Sequence, residues 1–446
     1  MVNTNWSILM DMATILDILN EDCWRVVLDL LPTADIIRSE RVCRSWQHVI
    51  FRYLQVVGIS IEYPWYGHKV SRNQRIVKME EDDPEKFKIL TRKWGSCIKK
   101  TDCVNEDSLT IIRKNCPDLE DVTFYGLQED ALLSGSTKSF KRLKRVHFRG
   151  CDSVRINPSY YVKTSRFKHY FAFCGLYCFI LKAYFGTCCM NKKQLTDACV
   201  KHWLVTYNIE ELIVWGAEDL TGKCLLTPHS SKLKGLCFKE CEALDYRHLL
   251  SATKHLTDLK KLVLVYVPQP IFQHVHLLLD KLSRLEDLCL RWEKRMELED
   301  DWAESIGRLR LRYLDVSFNP NVTDEWLEKA SCGFERLKEL NLEGCLGISG
   351  LGAKAACSVA GPSLQGLHLG SNVKINDASV EDIVRACPNL VWINLSYCHG
   401  VTEDIVARLG KARSVCDRKM RLILQDSAVE GLEKDKYPWL ILDFGD

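Results

Sequence analysis

The chain has 446 residues, enough to bury a large core as one long array or as several domains. Its 61 basic and 59 acidic side chains leave a formal charge of +2, so overall charge predicts neither nucleic acid nor an anionic membrane as a partner. The first 20 residues lack the basic start and the unbroken apolar run of a secretion signal. We therefore interpret the 21 cysteines as free thiols of a reducing compartment, the cytoplasm or the nucleus.

Residues 15–54 predict a small helical unit, because their apolar residues recur at helical spacing and the pattern breaks at Pro32. About 40 residues build little core alone, so another surface should cover the apolar face of this unit. The segment resembles an F-box, most specifically at Val42–Trp46 (VCRSW). That resemblance implies binding to a Skp-type adaptor. The implied adaptor-binding positions are Leu19, Val27, Leu28, Leu31, Ile36, Val42, Cys43 and Trp46. A helical cap whose core contains Val42, Cys43 and Trp46 is the alternative.

Residues 55–94 show no regular pattern, and we interpret them as a linker. The acidic run Glu80–Glu85 fits a solvated bend within it. Counting 24 residues back from Val122 gives Ile98, so a degenerate first repeat is expected to begin near Trp94.

An apolar-x-x-apolar-x-apolar segment then recurs ten times. Successive starts lie 24 to 27 residues apart, except for one step of 66 residues from 143 to 209. A period of this length with this strand pattern is typical of leucine-rich repeats, in which each strand and helix can bury its apolar face only against neighbouring repeats. The starts are Leu119, Leu143, Ile209, Leu233, Leu259, Leu285, Leu311, Leu337, Leu364 and Leu390.

Two further positions repeat with the strands. Eight residues after the start, Cys or Asn recurs where the turn needs its backbone groups satisfied, and we expect these side chains to be buried and structural. They are Cys151, Cys241, Asn319, Cys345, Asn372 and Cys398. Four residues later come small polar residues suited to begin a helix. They are Thr221, Asp245, Thr323, Ser349, Asn376 and Thr402.

Together with RKNCPDL at 113–119 and RACPNL at 385–390, these positions resemble the cysteine-containing subclass of leucine-rich repeats. The resemblance implies an α/β fold over residues 95–425, a curved solenoid with parallel strands on the concave face and helices on the convex face. Residues 426–446 are expected to form a C-terminal cap, in which the segment from Trp439 could add an edge strand.

The 66-residue step implies an irregular insertion at about 152–208. It contains the aromatic and cysteine-rich run FAFCGLYCFIL at 171–181, which is too short for the roughly 20 residues that span a bilayer. A core-packed irregular repeat, a sequence artefact such as translated intron, and contact with lipid all remain open. Membrane association is not the expected role of the chain.

Side chains that alternate with the inward apolar residues of each strand are expected on the concave face, where a protein substrate could bind. A basic group lies early and an acidic group late, with two tryptophans as aromatic contacts. The substrate-binding candidates are Arg145, His147, Arg149, Trp215, Lys239, Arg291, Asp315, Glu339, Glu343, His368, Trp392 and Asn394.

The resemblance implies a non-catalytic substrate-recognition subunit of a Skp–cullin–F-box ubiquitin ligase, with cullin and RING subunits reached through the adaptor. We expect no catalytic residue, cofactor or metal, and the absence of Cys-x-x-Cys pairs argues against a RING module in this chain. A repeat scaffold without ligase assembly is the alternative. A nucleotide-binding oxidoreductase is a remote one, suggested by the G-x-G-x-x-A match at Gly350–Ala355.

Overall fold

The computed structural model describes residues 21–63, 75–79, 83–127, 129–133, 139–149, 195–292, 301–412, 419–425, 427, 429 and 440–443. These residues form two compact units. The first contains the described residues up to Arg149 together with Thr206–Ile209, and the second contains residues 195–205 and the described chain from Glu210 onward.

The first unit begins with three helices, α1 (Glu21–Asp29), α2 (Thr33–Ser39) and α3 (Arg44–Val57). Its strands are all parallel, in the spatial order β5-β4-β3-β1-β2. They are β1 (Ile59–Glu62), β2 (Arg75–Lys78), β3 (Ile98–Cys103), β4 (Asp121–Tyr125) and β5 (Arg145–Arg149). The intervening helices are α4 (Pro84–Trp94), α5 (Glu106–Asn115) and α6 (Glu129–Leu133).

The second unit continues the same alternation, with parallel strands that neighbour one another in sequence order. Its strands are β6 (Glu211–Trp215), β7 (Gly235–Lys239), β8 (Lys261–Val265), β9 (Asp287–Arg291), β10 (Tyr313–Asp315), β11 (Glu339–Asn341), β12 (Gly366–His368), β13 (Trp392–Asn394), β14 (Met420–Ile423) and β15 (Leu440–Asp443). Its helices are α7 (Asp197–Thr206), α8 (Tyr246–Ala252), α9 (Gln269–Gln273), α10 (Val275–Leu279), α11 (Asp301–Gly307), α12 (Asp324–Ala330), α13 (Gly350–Ala360), α14 (Asp377–Ala386) and α15 (Asp404–Ala412).

The predicted fold class is confirmed: the chain is an α/β leucine-rich-repeat structure, and β4 to β13 fall on the ten repeats counted from the sequence. The degenerate first repeat exists as β3, but Thr101, not Ile98, lies opposite Val122. The expected register was three residues off, because this repeat spans 21 residues where the next spans 24. The strand expected from Trp439 is present as β15, which pairs with β14.

Two predicted boundaries need correction. The range 55–94 is not a linker, since β1, β2 and α4 lie in it and β1 pairs with both β2 and β3. Ile59 and Ile61 of β1 are also fully buried, so this stretch belongs to the core as well as to the sheet. The predicted insertion, 152–208, also extends too far at its end. Helix α7 lies inside this range and precedes β6 as an ordinary repeat helix. Cys151 and the run 171–181 lie outside the described residues.

Where cysteine or asparagine lies eight residues after the repeat start, its side chain closes the turn after the strand from inside the core. The Cys345 thiol donates to the Val316 carbonyl at 3.2 Å, and the Cys398 thiol donates to the Leu369 carbonyl at 3.1 Å. The Asn319 amide donates to the Leu290 carbonyl at 2.8 Å and accepts from the Trp292 N–H at 3.0 Å. All three side chains are fully buried, which confirms the structural role expected for these positions.

The residue just before this position is left-handed in most repeats. Gly126, Gly216 and Gly344 have positive φ there, and so do five non-glycine residues. In each case its N–H donates to a carbonyl of the following repeat, as Phe318 does to Glu343 at 2.7 Å. The turn is therefore set by neighbouring backbone as well as by residue type. The five are Glu240, Tyr266, Phe318, Ser371 and Tyr397.

Aspartates at the start of three helices link consecutive repeats, a feature that the sequence reasoning missed. Asp324 accepts from both the N–H and the hydroxyl of Ser349, at 2.7 and 2.6 Å. Asp377 binds Thr402 in the same way at 2.9 and 2.6 Å, and Asp197 binds Thr221 at 2.9 and 2.7 Å. Ser349 in turn caps α13, as Asp245, Thr323 and Asn376 cap α8, α12 and α14.

The glycines of the G-x-G-x-x-A match lie at the start of α13 and have a packing role. A Cβ on Gly350 would lie 1.9 Å from the Ser379 hydroxyl, and one on Gly352 would lie 2.0 Å from an Asp324 carboxylate oxygen. Only glycine lets α13 approach both neighbouring helices this closely. This packing accounts for the motif without a nucleotide.

We predict that Asn319→Ala lowers the free energy of unfolding by about 2–3 kcal/mol, because it leaves a buried carbonyl and a buried N–H without partners. Asn389→Ala is the matched control. Its amide donates to the Pro362 carbonyl at the surface, where water can replace it, so the loss should stay under about 1 kcal/mol. Urea unfolding midpoints measure both. Equal losses in the two variants would contradict the structural role of Asn319.

Candidate functional site: an apolar helix surface and a polar strand face

The three N-terminal helices build a small core of their own. Leu28 and Ile36 are fully buried, and Trp46 is 7% exposed. Trp46 packs edge-on against Trp24 with ring centroids 5.1 Å apart, and its indole N–H donates to the Ser39 hydroxyl at 3.0 Å. These three predicted adaptor contacts are therefore core residues of this packing, because their side chains face the neighbouring helices. Leu19 lies outside the described residues.

Other apolar side chains on α1, in the turn after it and in the turn before α3 are exposed, and we call them the helix surface. Three were predicted, Val27, Leu31 and Val42, which are 41%, 37% and 45% exposed. Val26 and Leu30 were missed, although they are more exposed, at 66% and 82%. Val26 and Val27 lie on α1, and Leu30 and Leu31 lie in the turn that directly follows it, so the four side chains cluster at the end of this helix.

Cys43, the remaining predicted contact, is half-buried and is the N-cap residue of α3. Its sulfur accepts from the Trp46 N–H at 3.4 Å, which is a capping role. A shallow cavity of about 340 Å³ lies beside the first turns of this helix. It is lined by Arg44, Gln47, His48, Phe51, Lys93 and Trp94.

Arg75 on β2 fastens the end of α1 to the sheet of the first unit. Its guanidinium donates to the carbonyls of Leu28, at 2.6 Å, and Leu31, and to the Tyr53 hydroxyl. That hydroxyl donates to the Asp29 carboxylate at 2.7 Å. Burial, followed by the bond to Asp29, raises the pKa of Tyr53 to about 12, so the phenol stays a donor. This network fixes the orientation of the helix surface on its unit.

The side chains that alternate with the inward apolar residues of the strands form what we call the strand face. In the first unit this face contains a compact polar cluster. Arg145 and His147 approach Asp121 from β5, with Arg145 Nε 3.0 Å and His147 Nε2 3.6 Å from its carboxylate oxygens. Asp121 occupies one of the alternating strand positions expected on the concave face, but it is only 5% exposed. Thr123 and Tyr125 are buried too. Of the predicted substrate contacts, Arg145, His147 and Arg149 are half-buried.

Burial opposes the ionisation of two groups on these strands, Asp102 on β3, in register with Thr123, and His147 on β5. It raises the pKa of Asp102 to about 6, although the Tyr63 N–H and the Lys100 charge favour the carboxylate. It lowers the pKa of His147 to about 4, against the pull of Asp121 and with the repulsion of Arg149. The imidazole is therefore neutral at pH 7, which removes it from the expected basic group.

On the second unit, the residues of the late acidic group differ in how deeply they are buried. Asp315 is 5% exposed and accepts from the N–H and hydroxyl of Ser317 at 3.0 and 2.6 Å, so it is a structural residue. Glu339 and Glu343 are half-buried, and burial raises the pKa of Glu343 despite the His368 and Arg291 charges. Only the two glutamates remain available from the predicted acidic set.

The structure brings His368, Trp392 and Asn394 together on β12 and β13. The imidazole and the indole meet edge-on at 4.5 Å, and His368 Nδ1 lies 3.4 Å from the Asn394 amide. His368 Nε2 is 3.8 Å from Glu339. Trp392 is half-buried because its ring lies over Gly366, where an added Cβ would be 2.3 Å away. Trp215 is 40% exposed, with Lys239 above its ring at 5.9 Å.

No group of three or more His, Cys, Asp or Glu side chains is placed to hold a metal within the ranges that the structure describes. Within the same ranges, no helix combines the length and the apolar character needed to cross a bilayer.

No family model matches the chain, and no curated protein matches its sequence. Solved structures do match. In the crystal structure of the Rad7 and Elc1 complex in yeast, the similar chain is 18% identical with a TM-score of 0.52, covering 90% of this chain and 91% of that one. An internalin from Listeria monocytogenes is 11% identical with a TM-score of 0.39, covering 89% of each chain. The likeness to the Rad7 and Elc1 structure shows a shared fold alone.

Replacing Arg75 with Met should loosen the end of α1, because the Leu28 and Leu31 carbonyls and the Tyr53 hydroxyl each lose a bond to the guanidinium. We expect hydrogen exchange of the α1 amides to rise at least about tenfold, which corresponds to about 1.4 kcal/mol of local stability. Mass-spectrometric exchange measures this. Arg41→Met, in the exposed turn before α3, is the control and should change nothing. Unaltered exchange in the Arg75 variant would refute the fastening role.

Asp102 and His147 should have opposite effects on acid stability. The raised pKa of Asp102 makes the folded state bind more protons than the unfolded state between pH 6 and 4, so folding gains stability as the pH falls. The lowered pKa of His147 makes the folded state bind fewer protons between pH 6.5 and 4, so stability is lost there.

We therefore predict that Asp102→Asn steepens the loss of unfolding free energy from pH 6.5 to 4.5 and that His147→Gln flattens it, each by on the order of 1 kcal/mol. Urea unfolding at pH 4.5, 5.5 and 6.5 measures the slopes. The double variant should fall between the two. Slopes that move in the same direction would show that the two shifts are misassigned.

Proposed function

We propose that this chain is the substrate-recognition subunit of a Skp–cullin–F-box ubiquitin ligase. In this role α1 to α3 dock a Skp-type adaptor, which brings the cullin and RING subunits, and the strand face holds a protein substrate. The chain itself supplies no catalytic group. Such a subunit would work in the cytoplasm or the nucleus.

The helix surface is the observation that carries this proposal. Val26, Val27, Leu30 and Leu31 are exposed although the same helices bury a complete small core. Large exposed apolar side chains clustered at the end of one short helix are characteristic of a surface that a partner covers. The F-box resemblance at Val42–Trp46 names the adaptor class for that partner. The similar solved structure is a complex with a second protein, Elc1, which supports assembly as a use of this fold.

The strand face supports the substrate half of the proposal through its remaining accessible groups. Trp215, Lys239 and Arg291 lie on the early strands of the second unit. Glu339 and His368 lie on the late ones, and Glu343 follows β11. Aromatic and charged side chains on a rigid sheet suit recognition of a protein surface.

The alternative is a repeat scaffold in which α1 to α3 only cap the sheet. The burial of Leu28, Ile36 and Trp46 favours it, since these positions act as core. The exposed Val26 and Leu30 favour docking, because a cap has no need for them.

Co-expression of the full chain with a Skp-type adaptor tests the proposal. We expect the wild-type chain to capture the adaptor, and Leu30→Asp or Val27→Asp to weaken capture at least about tenfold, because a charge replaces apolar area buried on binding. Both positions are exposed in the free chain, so the variants should fold.

Val373→Asp in the second unit is the matched control, as Val373 is 63% exposed and lies outside the helices. It should bind like wild type. A stable wild-type chain that captures no adaptor would favour the scaffold instead.

A further inference from the structure

The early strands of the second unit present an apolar stripe across the strand face. Ile213, Cys237, Val263 and Cys289 lie opposite one another in register on β6 to β9. Ile213 and Val263 are half-buried, and the two cysteines between them are 6% and 7% exposed. A peptide lying across these strands would therefore meet side chains of carbon and sulfur.

One margin of this stripe is basic. Lys239 on β7 and Arg291 on β9 lie in one row, with Val265 between them on β8. Each cation is placed over an aromatic ring, Lys239 over Trp215 at 5.9 Å and Arg291 over Phe318 at 5.1 Å. Within the described part of the chain, neither makes an ion pair with a carboxylate, and Arg291 Nε is buried without an acceptor. The Arg291 charge acts on Glu343 only at longer range.

The opposite margin has no excess of positive charge, because its row contains two carboxylates, Glu211 and Asp287, and one lysine, Lys261. Lys261 lies 3.5 Å from the Glu211 carboxylate, and its charge also stabilises the Asp287 carboxylate. Positive charge is thus left over on one side of the stripe only.

We infer that this stripe and its basic margin bind an extended acidic peptide of the substrate, which rests on the proposed use of the strand face. Parallel strands lie about 4.8 Å apart, so Lys239 and Arg291, two strands apart, are separated by about 10 Å. Three residues of polyproline-II conformation span about 9 Å and return side chains to the same side. Two carboxylates three positions apart therefore match the two cations, with an apolar residue between them against Val265 and Val263.

A peptide array tests this inference with the purified full chain. The probes are ten-residue peptides on a Ser and Leu background, with paired Asp residues separated by one to five positions, and with paired Asn or paired Lys in matched spots. We expect retention on Asp-paired spots that peaks at a separation of three, and at least about a tenfold loss with the double variant Lys239→Glu and Arg291→Glu.

Lys254→Glu, an exposed cation after α8, is the matched control and should retain wild-type binding. The inference is overturned by no retention at any spacing, by equal retention on Asn-paired spots, or by a double variant that binds like wild type. The array contains no adaptor, so its failure leaves adaptor capture unaffected, and failed capture leaves the array result standing.

Discussion

The turn that follows each strand is the constraint on which the repeats depend. It brings main-chain carbonyls into the core, where water cannot reach them. A buried carbonyl without a hydrogen bond lowers the stability of the fold by more than most single contacts add. Asn319 and Asn372 meet this need with a side-chain amide, and Cys345 and Cys398 meet it with a thiol. Because each bond reaches back to the preceding repeat, it fixes the spacing of strands as well as the turn. The positions of the side chains on the strand face depend on this strand spacing.

The periodic part of this architecture was predictable because every repeat must satisfy the same physical requirements. Strand positions follow from alternating burial, and the Cys or Asn eight residues after the repeat start follows from the turn. The first strands were not predictable in this way. Ile59 and Ile61 form a strand pattern only four residues long, and the 21-residue spacing before β4 breaks the period that would have placed β3 correctly.

The site was predicted less well than the fold, and the reason is that residue type does not reveal direction on a short helix. Leu28 and Val27 are adjacent and equally apolar, yet one is core and the other is exposed. On the strand face the difficulty is intramolecular pairing. Asp121 and Asp315 are acidic residues at outward positions, but Arg145 and Ser317 already engage them. Which charges remain for a partner depends on such neighbours, which lie 24 residues away for Asp121 and two residues away for Asp315.

We call Cys241, Cys345 and Cys398, which lie eight residues after a repeat start, the ladder thiols. Their burial also determines how this cysteine-rich chain reacts with chemical reagents. Burial raises the pKa of Cys241 and Cys345 to about 12 and that of Cys398 to about 11, which removes the thiolate that alkylating agents and peroxides attack. Among the described cysteines only Cys23 and Cys332 are exposed. Reaction at any ladder thiol must wait until its own turn opens. The alkylation rate of each such cysteine would therefore report the local opening of one repeat. Comparing these rates would show which turns open first.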